Sequence, residues 1–504
     1  MGLRPMPLHV EKVSHSYGTV EALRDIEEAE KRASNEELRA QAADFAGFVK
    51  PLADLAGRFE VAESPHFSVH FVEGTDRVLV RRAIDTLEAC QGMMPADLGG
   101  NPAGAGKVRV EIFPDPDSFE KASTLTKREI ETSGTIALCK FNSLMMMTPR
   151  VVLRGFSWCD TLCHEYTHYV LWKRNGATIP IWLHEAIAKH EEPRWSGKPG
   201  SDLTPLMREV LKGAVESGKF VTFDEMHPSF AKLKNPHDVA LASAEVLSVL
   251  RSVMRRGGYA RVGKMLDALK DGASWRVMFE KALDQPFEEF WQAWVEETRA
   301  ELKDVKGPEA PEKLVELREA AKRDPTAKPD PAKAPDGKDA EPPAEGEAKA
   351  AADEAEEDGP GDRFARLGDL LRGRSHWQAA AEEYEKAAAT DKGRSPVLLN
   401  RLGLVYREAQ DLASAEKAFK RSEVLDPEYA PTLTDLGLLY RSRGDAAKAV
   451  EYLEAAARIN PFDPRIHEGL AEVYGALGKE ASRAQAMVEL DIVRGNSGRQ
   501  RKGP

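Results

Sequence analysis

Four copies of one apolar pattern follow one another in the last third of the chain. A leucine followed by a small residue recurs at steps of 35, 34 and 34 residues, at Leu367-Gly368, Leu402-Gly403, Leu436-Gly437 and Leu470-Ala471. A fixed period of this length means that each unit folds into one supersecondary element and buries its apolar face against the next unit. The period therefore predicts a stack of similar units rather than one globular core.

Other positions keep the same register. The small residue lets two helices of a unit approach each other, and a bulky residue sixteen positions later fills the space between neighbours, at Tyr384, Phe419, Leu453 and Met487. The pattern resembles the tetratricopeptide repeat across residues 362–494. The resemblance implies an all-α solenoid whose concave face holds a peptide or another protein. The fourth unit has Arg483 in a small-residue position, so we expect it to be a terminal cap.

Upstream of the repeats, the composition changes abruptly. Residues 303–361 are rich in Pro, Ala, Lys, Asp and Glu, and residues 331–360 contain ten acidic side chains against three lysines. Such a segment cannot bury enough apolar surface to order itself, which predicts a disordered acidic linker. The predicted organisation is an N-terminal helical segment (1–62), a folded domain (63–302), this linker, the repeats and a short tail (495–504).

Composition also restricts the partners and the location. The net charge of −12 gives no electrostatic footprint for nucleic acid or for anionic lipid, and no apolar run is long enough to span a membrane. The four cysteines do not form a secreted disulfide framework, which favours a reducing compartment. With no apolar leader at the first residues, we expect a cytoplasmic protein, or a secreted or periplasmic one if the true start lies upstream.

The second informative segment is His164-Glu165-Tyr166-Thr167-His168. On a helix, residues four apart share a face, so His164 and His168 direct two imidazoles at one cation while Glu165 flanks it. The mostly apolar run 153–163 leads into the first histidine and predicts a buried helix. Buried imidazoles are costly unless they are paired or bind a metal, so the segment predicts a metal site with one Zn²⁺ per chain.

A third ligand comes from further along the chain. Asn175-Gly176 predicts the end of the first helix, and a second helix begins near Glu185. Sixteen residues separate His168 from Glu185, which is enough for a loop to reverse the chain and return a carboxylate to the two histidines. A third histidine six residues after the motif is excluded because Arg174 occupies that position.

These segments resemble the gluzincin "peptidase MA-like" domains over residues 64–302. The motif positions that match the family are Thr161, Leu162, His164, Glu165, His168, Pro180, Trp182, Leu183, Glu185 and Ala188. The resemblance implies an α+β zincin-like fold with a mixed sheet, zinc held by His164, His168 and Glu185, and Glu165 as the general base of peptide hydrolysis. The repeats would then recruit the peptide or protein substrate.

The chain departs from the family pattern at several positions. Ala186 replaces the usual glycine, His190 replaces the usual tyrosine, and the segment 240–245 lacks a tyrosine and a glutamine that the family carries. Losing a donor to the developing oxyanion typically costs about 10² to 10³ in rate. Side chains that could replace this donor are Tyr166, Tyr169, His184, His190, His237 and Tyr259. His184 and His190 lie near Glu185 in the sequence, so they could instead bind the metal or hold its ligands in place.

Two further hypotheses stay open on the sequence. In one, the domain is a degenerate zincin without activity and the repeats act as a protein-interaction adaptor. In the other, the metal site hydrolyses a substrate other than a peptide, because ligand spacing does not identify the scissile bond.

The remaining pattern predicts a small sheet and a helical closing subdomain. Alternating apolar residues predict strands at 67–72 and 107–113 with a helix at 77–94 between them. Two short apolar runs at 134–139 and 144–148 predict further strands, one of them an edge strand above the zinc cleft. Helical spacing continues from 204 to 302.

Overall fold

A computed structural model of the chain describes residues 50, 54–99, 106–128, 130, 134–140, 142–227, 230, 233, 235–305, 360–390, 393 and 395–495. These residues divide into two compact units. One contains the described residues up to Val305 together with Arg458–Pro464 and the described residues from Val488 onward, and the other contains the remaining described residues of the repeats. Most of the predicted linker, of the predicted tail and of the N-terminal segment lies outside the described residues.

The first unit is built on a mixed sheet. Its strands are Phe59–Glu63 (β1), Phe67–Val72 (β2), Val108–Phe113 (β3), Ala137–Lys140 (β4) and Ser143–Met147 (β5), in the spatial order β1-β2-β3-β5-β4. The three central strands are parallel, and β1 and β4 pair antiparallel at the two edges. Every residue of β5 is buried, which explains its continuous apolar run.

Helices surround this sheet and continue into a helical part. They are α1 (Arg77–Leu98), α2 (Pro116–Ser123), α3 (Trp158–Asn175), α4 (Ile181–Glu191), α5 (Pro205–Ser217), α6 (Pro236–Arg255), α7 (Gly258–Lys270), α8 (Trp275–Leu283) and α9 (Phe287–Glu301). Helix α1 packs on both β2 and α3, and α4 packs on α6. The helix that carries the histidine motif is therefore enclosed on several sides by apolar contacts.

The second unit consists of helix pairs. Its helices are α10 (Pro360–Gly373), α11 (Trp377–Ala388), α12 (Pro396–Glu408), α13 (Leu412–Leu425), α14 (Ala430–Ser442), α15 (Ala446–Ala457) and α16 (Pro464–Ala476), and α17 (Glu480–Val493) follows. A Cβ atom added to Gly403 would lie 2.4 Å from the ring of Phe419, and one added to Gly437 would lie 2.6 Å from Leu453. The predicted pairing of a small residue with a bulky one sixteen positions later is thus confirmed.

The structure also corrects two sequence boundaries. Strand β1 lies inside the segment 1–62 that was predicted to be helical, because its backbone pairs with β2, and pairing of this kind overrides local propensity. Helix α1 continues past the predicted end at Met94 and through Pro95 to Leu98. Met94 and Leu98 are both fully buried on one helix face, which outweighs the hydrogen bond that the proline removes.

Candidate metal centre

The structure brings the three predicted ligands together. One donor atom from each of His164, His168 and Glu185 lies within 4.8 Å of the other two. The two Nε2 atoms of the histidines are 3.1 Å apart, and the Glu185 carboxylate lies 3.5 Å from Nε2 of His164 and 3.6 Å from Nε2 of His168. Two imidazole nitrogens and one carboxylate oxygen are a donor set that catalytic zinc sites use.

Local sequence explains how the two helices meet. Helix α3 ends at Asn175, and Gly176 adopts a φ of 62°, a conformation that glycine allows without strain. A short turn then leads to Pro180, which has an extended backbone and precedes α4. The side chain of Asn175 anchors this reversal by donating to the buried carbonyl of Leu266 at 2.8 Å.

Each histidine also has a partner for its second ring nitrogen. Nδ1 of His164 lies 3.0 Å from Oε1 of Glu192, and Nδ1 of His168 lies 3.1 Å from Nδ1 of His184. Partners of this kind fix the orientation and the tautomer of a metal-binding histidine. Glu192 lies just after α4 and belongs to no motif, so no sequence pattern identified it. Its position seven residues after Glu185, which places the two on the same helix face, is a weak signal.

The charges at the centre favour a cation. Burial opposes a charge on His164, but the carboxylates of Glu185 and Glu192 raise the pKa of that histidine to about 10. Burial lowers the pKa of His168 to about 3 and that of His184 to about 4. For Glu185, the effect of burial is overcome by His168 and His164, which lower its pKa to about 2. The two carboxylates therefore stabilise positive charge between α3 and α4.

Glu165 has a different environment from the carboxylates around it. It is 6% exposed, and burial raises its pKa to about 7, with Glu185 adding to the effect and His164 opposing it. The backbone N–H of Cys139 in β4 donates to its carboxylate. A carboxyl group with a pKa near neutrality suits a general base at physiological pH.

A cleft of about 1430 Å³ opens onto this group of side chains. It is lined by the three candidate ligands, by Glu165 and by all four residues of β4. Since β4 pairs only with β5 within the described sheet, its other edge is not paired there. A strand edge therefore borders the cleft, at the position where the sequence predicts an edge strand.

The candidate oxyanion donors separate into two groups. Tyr169 and His184 line the cleft. Tyr166 and Tyr259 instead donate their hydroxyl groups to side chains outside the cleft lining. His190 is buried against Gly200, and His237 is exposed at the surface.

The repeats form a second group of interacting polar residues. The buried carboxylate of Asp435 in α14 accepts from Asn400 at 3.1 Å and lies 3.4 Å from both Arg407 and Arg465. These partners come from the preceding and the following first helices of the repeats, α12 and α16. Arg441 extends the series by pairing with Glu472 at 2.9 Å.

Across the part of the chain that the structure describes, no helix combines the length and the apolar character needed to cross a bilayer.

Comparison with known proteins identifies the repeats. Residues 430–473 match the family model described as tetratricopeptide repeat. The type IV pilus assembly protein PilF of Pseudomonas aeruginosa strain PAO1 is 28% identical over 132 residues, which are 26% of this chain and 51% of that protein. The chain thus spans about half the length of this curated relative.

Two solved structures show weaker similarity. The crystal structure of MamA matches 28% of this chain and 81% of its own chain at 23% identity, with a TM-score of 0.25. Native yeast LTA4 hydrolase matches 86% of this chain and 66% of its own at 13% identity, with a TM-score of 0.31. Scores this low do not support an assignment, so the gluzincin resemblance of the first unit stays a prediction. The chain does carry tetratricopeptide repeats, in its second unit.

Proposed function

We propose that this protein acts through protein interaction, with the tetratricopeptide repeats binding a protein partner. The family match over residues 430–473 carries the proposal. Stacked helix pairs present an extended concave surface, and surfaces of this kind recognise peptides and protein segments. The family match and the curated relative both lie in the repeats, so they support this function better than they support catalysis.

The arginines of the first helices offer a test. Arg407 and Arg441 are about one-third exposed, and their ion pairs run between successive first helices, so both lie on the face that these helices share. We expect the Arg407→Ala, Arg441→Ala variant to lose the proteins that the wild-type chain captures by cross-linking from its native host. The matched control is Lys417→Ala, Arg421→Ala on the second helix α13, which should capture the same set. Equal capture by all three proteins would contradict binding at this face.

A second function is favoured by a specific observation in the first unit. We propose that His164, His168 and Glu185 hold one Zn²⁺ and that the cleft hydrolyses peptide bonds. Their three donor atoms lie within 4.8 Å of one another, and all three residues line a large cleft. When bound there, zinc supplies a Lewis acid that polarises a carbonyl and lowers the pKa of water.

The chain's own residues then have separable roles. Glu165 accepts a proton from the attacking water as the new C–O bond forms, and passes it to the amine nitrogen as the C–N bond breaks. Glu192 holds the His164 ring through Nδ1. The edge of β4 aligns an extended peptide by backbone hydrogen bonding.

Elemental analysis tests the metal centre before any substrate is known. We expect about one zinc per chain in the wild-type protein and none in a His164→Ala, His168→Ala variant prepared identically. Wild-type protein that contains no zinc, and takes none up, would remove the hydrolase function. The protein-interaction function would then stand alone.

A further inference from the structure

His184 lines the cleft and is not one of the matched motif positions. It lies directly before Glu185 in α4, and its Nδ1 atom is 3.1 Å from Nδ1 of His168. Its ring is tilted by 40° against the ring of His168, with the two centroids 5.2 Å apart. Of the donor candidates, it is the one that touches a predicted ligand and also lines the cleft.

The contacts of His168 fix where its proton must be. Its Nε2 atom faces Glu185 at 3.6 Å and Nε2 of His164 at 3.1 Å, so this nitrogen belongs to the cluster of ligand atoms. A ligand nitrogen carries no proton, and a neutral imidazole has one N–H. The proton of His168 therefore sits on Nδ1, where the contacting atom is Nδ1 of His184.

The same reasoning fixes the tautomer of His184. Because His168 donates from Nδ1, His184 accepts at Nδ1 and carries its own proton on Nε2. Among the described residues, no hydrogen bond involves that Nε2 atom, and it is not among the buried atoms that lack a partner. Since the residue lines the cleft, this N–H is open to a bound substrate.

We propose that His184 has a double role: it positions His168 by accepting from Nδ1–H, and it presents Nε2–H as a hydrogen-bond donor to the oxyanion that develops in the cleft. The proposal rests on the hydrolase function proposed above. It accounts for the absence of the family tyrosine in the segment 240–245, because a neutral imidazole N–H replaces the phenol as the donor.

Two substitutions separate the two roles. In His184→Asn, the amide oxygen replaces Nδ1 as the acceptor for His168, but nothing replaces Nε2–H. In His184→Phe, a ring remains and both polar atoms are lost. His237→Asn, at an exposed histidine of the same unit, is the matched control.

The positioning role is measured by zinc affinity, using competition with a chelator and no substrate. We expect His184→Phe to bind zinc about 10 to 100 times more weakly than wild type, and His184→Asn and the control to bind within a few-fold of it. Unchanged affinity in His184→Phe, with its fold intact by circular dichroism, overturns the positioning role. Failure of the wild type itself to bind zinc overturns the hydrolase function and this proposal together.

The donor role is measured by calorimetric titration of the zinc-loaded proteins with a phosphonamidate peptide, which mimics the tetrahedral oxyanion. We expect His184→Asn to bind the mimic about 10² to 10³ times more weakly than wild type, although it retains zinc. Binding as tight as that of wild type overturns the donor role and leaves His184 as a positioning residue only.

Discussion

The two units of this protein build their polar sites in different ways. In the repeats, Asn400, Asp435 and Arg465 lie on successive first helices, so the stacking of similar units brings them together. In the first unit, His168 and Glu185 meet only because the chain reverses between two helices. The repeats depend on a recurring contact between similar units, whereas the first unit depends on the packing of helices and strands that do not repeat.

This difference predicts how each unit responds to substitution. Stability in a repeat array is approximately a sum of unit terms and nearest-neighbour terms, so damage should remain local. In a unit with one continuous core, the loss of a single distant contact should lower the stability of the whole unit. Four predictions follow from this contrast, ordered by the size of the expected effect.

The largest effect is expected at Glu165. Glu165→Gln removes the base but retains the shape, and general-base catalysis contributes about 10² to 10⁴ in rate, so peptide turnover should fall by that factor. The measurement is turnover of a quenched fluorescent peptide library at equal zinc content. Glu245→Gln is the matched control, because Glu245 is a buried carboxyl group of α6 outside the cleft lining. Equal turnover by Glu165→Gln and wild type would contradict the role of Glu165 as the general base of the first unit.

The second prediction tests local damage in the repeats. Gly403→Leu places a side chain against the ring of Phe419, where even a Cβ atom would lie at 2.4 Å. We expect a loss of about 3 kcal/mol or more in the free energy of unfolding of the repeats, from overpacking. The measurement is denaturant unfolding, with zinc content as a second readout. The unfolding transition of the repeats should move to lower denaturant concentration, and the protein should retain its zinc.

A neighbouring glycine provides the control for this experiment. Gly373 lies at the end of α10, and an added Cβ would meet nothing within 4 Å, so Gly373→Ala should leave the transition in place. If Gly403→Leu also released zinc, the two units would not be independent and the contrast between them would fail.

The sequence predicted more of the contacts in the repeats than in the first unit. The pairing of Gly403 with Phe419 follows from a period alone, and the strands at 67–72 and 108–113 follow from alternation, because both signals are local. A motif and the end of a helix together predicted that His168 and Glu185 lie close to each other. Contacts that depend only on the crossing angle of two helices have no signal in the sequence.

Glu192 shows this limit most clearly. It contacts Nδ1 of the predicted ligand His164, but the contact depends on the angle between α3 and α4, which no sequence period determines. Strand β1 was missed for the same reason, since its partner β2 determines its conformation. Sequence patterns identified which residues carry the chemistry, and tertiary packing determined which residues support them.

The third prediction tests a distant contact in the first unit. Asp76 is 1% exposed and accepts from Thr148 at 2.7 Å and from two nitrogens of Arg150 at 2.8 and 2.7 Å. Asp76→Ala leaves these donors unpaired, which should cost about 2 to 3 kcal/mol in the free energy of unfolding. Denaturant unfolding should show the whole first unit shifting together.

An exposed ion pair on the same helix gives the matched control. Asp85 pairs with Arg81 at 3.4 Å, and both side chains are more than half exposed, so Asp85→Ala should change stability by less than about 0.5 kcal/mol. A similar shift from both variants would mean that helix α1 contributes only local stability, which would erase the contrast with the repeats.

The smallest effect is a pH dependence located at His190. Burial lowers the pKa of His190 to about 4, with Arg194 and Arg251 adding to the effect, whereas the unfolded chain titrates near the ordinary value of about 6.5. Between these values the unfolded state binds more protons, so the first unit should lose stability as the pH falls from about 6.5 to 4 and not lose more below that.

Neither ring nitrogen of His190 has a hydrogen-bond partner among the described residues, so His190→Leu removes no hydrogen bond. We expect this variant to match the wild type at pH 8 and to exceed it at pH 4 by an amount on the order of 1 to 2 kcal/mol. Denaturant unfolding at both pH values decides it: an equal acid sensitivity of the two proteins would assign the acid response to other groups of the first unit.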